Sequence, residues 1–77
     1  MKFMAKELIK DFYGKILGRL DDQGDRIVAE DFYGKILGTY NKSDDRTRDF
    51  YGRVISNGNT LTGLIAQAAA ENEANNR

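Results

Sequence analysis

The stretch Asp11-Phe12-Tyr13-Gly14-Lys15-Ile16-Leu17-Gly18 returns unchanged as Asp31 to Gly38. It returns again, softened, as Asp49-Phe50-Tyr51-Gly52-Arg53-Val54-Ile55-Ser56. Three copies in 77 residues make this a repeat protein, in which each copy is one supersecondary unit that needs its neighbours to bury a face. Asp is favoured at the first position of a type I turn, where its carboxylate caps the turn's own amides. Gly three residues later suits the left-handed position that closes such a turn as a G1 bulge. The aliphatic flanks Ile16-Leu17, Ile36-Leu37 and Val54-Ile55 favour strand. Each copy therefore reads as a β-hairpin with Phe, Tyr and Gly at its tip, rather than as one continuous strand. In that register Asp11 opposes Lys15, Asp31 opposes Lys35 and Asp49 opposes Arg53, each pair contributing roughly 0.2–1 kcal/mol.

The rest of the chain follows from that unit. Strands are expected over 7–10, 15–20, 26–30, 35–40, 46–48 and 53–56, with polar reversals at 21–25 and 41–45. A helix across 3–9 competes with the first strand, because Met4, Leu8 and Ile9 also fit helical spacing. After Asn57-Gly58-Asn59 the period changes. Leu61, Leu64, Ile65 and Ala68 fall on one helical face, and Asn59 or Thr60 can supply the cap oxygen, so 60–71 reads as a C-terminal helix. Gly63, early in that helix, is expected where the helix closely approaches the sheet. Residues 72–77 have little to bury and read as a frayed tail. The whole chain, 1–77, is one domain, with the three-repeat meander spanning 7–56.

Counting alternate residues along the strands gives two apolar faces. Leu8, Ile16, Leu20, Val28, Ile36, Tyr40 and Val54 share one; Ile9, Leu17, Ile27, Ala29, Leu37 and Ile55 share the other. One helix can cover a single face. The other must be closed by curling, by the Phe-Tyr tips or by a second subunit. Gly18 and Gly38, recurring inside strands, suit a bend or a close approach. The fold class is accordingly mainly β: an antiparallel meander, strongly curved or barrel-like, closed by one helix and associating as a dimer.

Twelve acidic and twelve basic residues leave zero net charge, so no global field draws the chain to nucleic acid or to a membrane. Neither cysteine nor histidine occurs, which removes thiolate metal sites, disulfides and the commonest general base. The N-terminus lacks the apolar core of a signal peptide and no apolar run could span a bilayer, so a cytoplasmic protein is expected. The Asp-x-x-Gly unit has no phosphate loop beside it to make a nucleotide hydrolase. Asp21, Asp22 and Asp25, or Asp44 and Asp45, lack the spacing of a calcium loop and read as solvated turns. No metal, cofactor or catalytic residue is assigned.

The aromatic tips hold the remaining chemistry. Phe12-Tyr13, Phe32-Tyr33 and Phe50-Tyr51 each precede Gly14, Gly34 or Gly52 and then Lys15, Lys35 or Arg53. Rings beside cations can stack bases and meet phosphates. The structural reading, which a motif repeated in every copy favours, has one ring covering the hairpin edge or core while Tyr anchors the tip. The Asp-x-x-Gly-[Lys/Arg]-[Ile/Val] unit is similar to the hairpin pattern of tyrosine-aspartate repeats. The fuller form, across 7–56, resembles short bacterial and mobile-element proteins built from two or three such hairpins; the resemblance implies an accessory or phage-borne gene and no particular activity. The function expected from the sequence is a non-enzymatic interaction module acting through a self-associating sheet. A small-ligand or nucleotide-binding sponge using the tips is the alternative, and a weak nucleic-acid binder the third reading.

Overall fold

A computed structural model describes residues 5–75. Strands β1 (Ala5–Lys10), β2 (Ile16–Asp22), β3 (Arg26–Asp31), β4 (Ile36–Asn41), β5 (Arg46–Asp49) and β6 (Val54–Asn57) precede one helix, α1 (Leu61–Asn75). The strands form a single antiparallel sheet in the order of the chain. Residues 5–9 are strand, which settles the described part of the competing helix; residues 3 and 4 lie outside the described residues. The helix reaches Asn75, so the tail expected from 72 is helical over its described length.

The sheet is open, with β1 and β6 at its edges; it is neither closed into a barrel nor strongly curled. The intra-strand glycines explain the discrepancy. A Cβ on Gly18 would stand 2.9 Å from Ile65 Cγ2, and one on Gly38 would stand 2.8 Å from Leu64 Cδ1. The glycines leave room for the helix to lie on the sheet rather than bending the strands. Gly63, the expected contact point, faces open space. The third copy puts Ser56 in the equivalent slot, where its hydroxyl shares a 2.6 Å hydrogen bond with Thr60 Oγ1.

A bulge follows the tip in each repeat. The partners of Ile9 and Lys10 are Gly18 and Ile16, leaving Leu17 as the extra residue; Leu37 and Ile55 occupy the same place in the later copies. An inserted residue shifts the alternation by one. Leu20 and Tyr40 therefore pack on the helix side with Ile9, Leu17, Ile27 and Leu37, not opposite them as simple counting had it. Ala29, Leu61 and Ile65 are fully buried at the centre, and α1 lies across β2, β3 and β4. Burying Leu61 and Ile65 contributes about 1.5–3 kcal/mol each as an upper estimate.

The helix start is tied to the sheet. Asn59 Oδ1 accepts the Leu61 amide at 3.1 Å. Thr47, wholly buried on β5, donates its hydroxyl to the Gly58 carbonyl at 2.6 Å and accepts the Thr60 amide at 3.2 Å. One side chain thus fixes the turn that aims α1 back over the strands.

Candidate functional site

The expected hairpin tips are present in all three copies. The amides of Gly14, Gly34 and Gly52 donate to the carbonyls of Asp11, Asp31 and Asp49 at 3.0–3.1 Å. The amides of those aspartates donate to the carbonyls of Lys15, Lys35 and Arg53 at 2.9 Å. The glycines have φ of +83°, +86° and +85°, a region that costs other L-residues about 1–2 kcal/mol. Each aspartate Oδ1 accepts two further amides, from the tyrosine two residues on and from the lysine or arginine four residues on, at 2.8–3.0 Å. Asp31 is buried as it does so. At the third tip Arg53 Nε also meets Asp49 Oδ2 at 3.1 Å. Asp49 is held below the ordinary carboxylate range, chiefly by the Arg53 amide, with the Tyr51 amide and the Arg53 guanidinium adding to the effect.

Asp and Gly therefore carry the turn, and the residues between them are left over. Phe occupies the second turn position and Tyr the third, which in a type I turn accept most residue types. Their rings do not enter the core. Phe12 and Tyr13 are 96% and 90% exposed, and the least exposed ring, Phe32, is still 53% exposed. The reading that places a tip ring in the core is thereby overturned. Within each tip the two rings meet edge to face, with centroids 5.3–5.6 Å apart and planes at 80–89°. The Arg53 guanidinium lies 5.5 Å from the centre of the Tyr51 ring. Tyr40 is the contrast: it packs on the core, and its hydroxyl donates to Asp45 Oδ1 at 2.6 Å, which raises its pKa.

Because the strands run in chain order, the first, third and fifth connections share one end of the sheet. All three Phe-Tyr tips therefore stand in a row, two strands apart. Strand spacing alone separates neighbours by about 9.5 Å, and sheet twist widens this to roughly 10–12 Å. Lys15, Lys35 and Arg53 follow their tips in the same row.

No family model, curated protein or solved structure matches this chain. The opposite end of the sheet is occupied with internal contacts: Lys42 Nζ meets Asp22 at 3.0 Å and Arg48 meets Asp44 at 2.6 Å. Among the described residues no group of three or more acidic side chains is placed to hold a metal ion. No helix among them is long and apolar enough to cross a membrane.

The sheet face away from α1 is a second exposed surface. Leu8, Ile36 and Val54 are each about half exposed there. Cross-strand rows place Arg19 and Glu30 between Leu8 and Ile36, and Asp21, Val28, Thr39 and Arg48 beside them. An open hollow of about 390 Å³ lies between Asp21, Arg26, Val28, Glu30, Ile36 and Thr39. The sequence had Leu8, Ile36 and Val54 on one face; the bulges removed Leu20 and Tyr40 from it.

Proposed function

We propose that this chain is a non-enzymatic interaction module that binds through the row of Phe-Tyr-Gly-Lys/Arg tips. The observation that carries the reading is the exposure of six aromatic rings at positions where the turn itself asks for none. Exposed aromatic clusters are characteristic of interaction surfaces, since Tyr and Phe bring large contact area at low entropic cost. The lack of histidine and cysteine supports a role without catalysis. The setting this reading assigns it is the cytoplasm, as an accessory protein of the kind the resemblance to mobile-element hairpins implies. The test is selection from a random dodecapeptide display library and an oligosaccharide panel, with the intact protein and with a variant carrying serine at all six tip rings. Ligands retained by the intact protein and lost by a folded variant support the reading. Ligands held equally by both, or none at all, contradict it.

The uncovered sheet face favours a second role, self-association as a closed dimer. Leu8, Ile36 and Val54 are interspersed there with charges of both signs, and a two-fold axis pairs such a face with itself. Light scattering at micromolar concentration should give twice the monomer mass, and Ile36→Glu should restore the monomer. A wild type that scatters as a monomer removes this role and leaves the tips. Leu17→Glu and Leu37→Glu, by contrast, strike the helix-side core and should unfold the chain.

A further inference from the structure

We infer that the row of tips takes a proline-rich segment in the polyproline II conformation, an assignment that rests on the tips being a binding surface. Three features of the row favour that occupant. The rings of each tip stand at 80–89° to one another, so each tip offers a corner between its two ring faces rather than a flat platform. A pyrrolidine ring fits a corner; a nucleobase or a ribbon of sugar rings stacks best on a plane. Polyproline II has no internal hydrogen bonds, so all its carbonyls are open to donors. The hydroxyls of the exposed Tyr13, Tyr33 and Tyr51 supply such donors along the row. Polyproline II also returns a residue to the same side about every 9.3 Å, close to the roughly 9.5 Å that strand spacing alone sets between neighbouring tips before twist widens it.

The chemistry also disfavours nucleic acid. Binding to a phosphate backbone draws its affinity from neutralised charge. Here Asp11, Asp31 and Asp49 stand in the same tips as Lys15, Lys35 and Arg53, and the chain carries no net charge. A proline-rich chain needs no such field, because its rigidity lowers the entropy lost on docking.

Amide chemical shifts followed during titration with decaproline test the assignment. Saturable shifts are expected at Tyr13, Gly14, Tyr33, Gly34, Tyr51 and Gly52, with little change on the face bearing Leu8 and Ile36. Affinity should rise ten-fold or more from triproline, which reaches one tip, to decaproline, which bridges all three. Phe32→Ser/Tyr33→Ser, checked for folding in the same spectra, should cost at least ten-fold by breaking the row. Cellohexaose shifting the tip residues while decaproline leaves them unmoved would overturn the polyproline assignment and leave the tips as a binding surface. Decaproline shifts confined to the sheet face, or no shifts with either probe, would overturn it as well; the library selection then decides the broader reading by itself.

Discussion

Replacing glycines one at a time separates the forces that shape this sheet. A Cβ on Gly18 would sit 2.3 Å from the Glu30 carbonyl oxygen, 2.9 Å from Ile65 Cγ2 and 3.3 Å from Asp31 Cα. On Gly38 it would sit 2.5 Å from the Arg48 carbonyl oxygen and 2.8 Å from Leu64 Cδ1. A side-chain tip can swing aside, whereas a carbonyl belonging to the neighbouring strand moves only if the strands part. Gly18→Ala and Gly38→Ala should therefore reach or exceed the top of the usual overpacking range of about 1–3 kcal/mol. Gly14→Ala, Gly34→Ala and Gly52→Ala meet at most one atom at 3.8 Å, so only the left-handed backbone opposes them, at about 1–2 kcal/mol. Gly63→Ala faces open space in the helix and should stabilise by about 0.5–1 kcal/mol. In a domain of this size each kcal/mol moves the melting temperature by about 4–8 °C. Thermal melts should rank Gly63→Ala above wild type, the tip variants below it, and Gly18→Ala and Gly38→Ala lowest. Trimming Leu64 to alanine should not rescue Gly38→Ala, because the Arg48 oxygen remains in the way. A Gly18→Ala protein that melts with wild type would refute the close approach of the Glu30 carbonyl to Gly18.

Thr47→Val keeps the volume and removes the hydroxyl that joins the Gly58 carbonyl to the Thr60 amide, so urea titration should show a loss of about 1–3 kcal/mol. No change would mean that water replaces it freely. Stability should also fall at both extremes of pH. Asp22, Asp44 and Asp49 are held below their ordinary value of 3.8 by the Gly24 amide, the Arg48 guanidinium and the Arg53 amide respectively. Their contribution is complete above that value and is lost as pH falls through the lower folded values. Tyr40 is held above its ordinary 10.0 by the Asp45 carboxylate, so its contribution is complete below pH 10 and lost as pH rises through the higher folded value. A urea midpoint that climbs on acidification below pH 4 would contradict these assignments.

The hairpins were legible because their chemistry is local. Asp at the start of a turn and Gly at its left-handed close act within four residues, and the structure uses both as the sequence implies. The faces were only partly legible, because alternation assumes no inserted residue and each copy has one, at Leu17, Leu37 and Ile55. Gly18 and Gly38 read as either a bend or a close approach, and only the positions of Leu64, Ile65 and the neighbouring strands' carbonyls show that it is the second. Thr47 stands two residues before Asp49, where Ile9 and Ala29 precede Asp11 and Asp31. That shared slot was the available signal that a polar residue here would be buried. The tip rings misled for a similar reason: aromatic residues usually fill cores. Their place in the middle of a tight turn, beyond the ends of both strands, was the sign that they would point to solvent.

The central claim is that the tip rings serve binding and contribute little to the fold. It is tested most directly by the unfolding free energy of three paired variants, Phe12→Ser/Tyr13→Ser, Phe32→Ser/Tyr33→Ser and Phe50→Ser/Tyr51→Ser. Exposed substitutions away from caps and cores usually stay within about 0.5 kcal/mol per site, so each pair should lie within about 1 kcal/mol of wild type in urea titration. A loss of about 3 kcal/mol or more at any tip, the range of a buried aromatic cut down to a small side chain, would place those rings in the core and contradict the account.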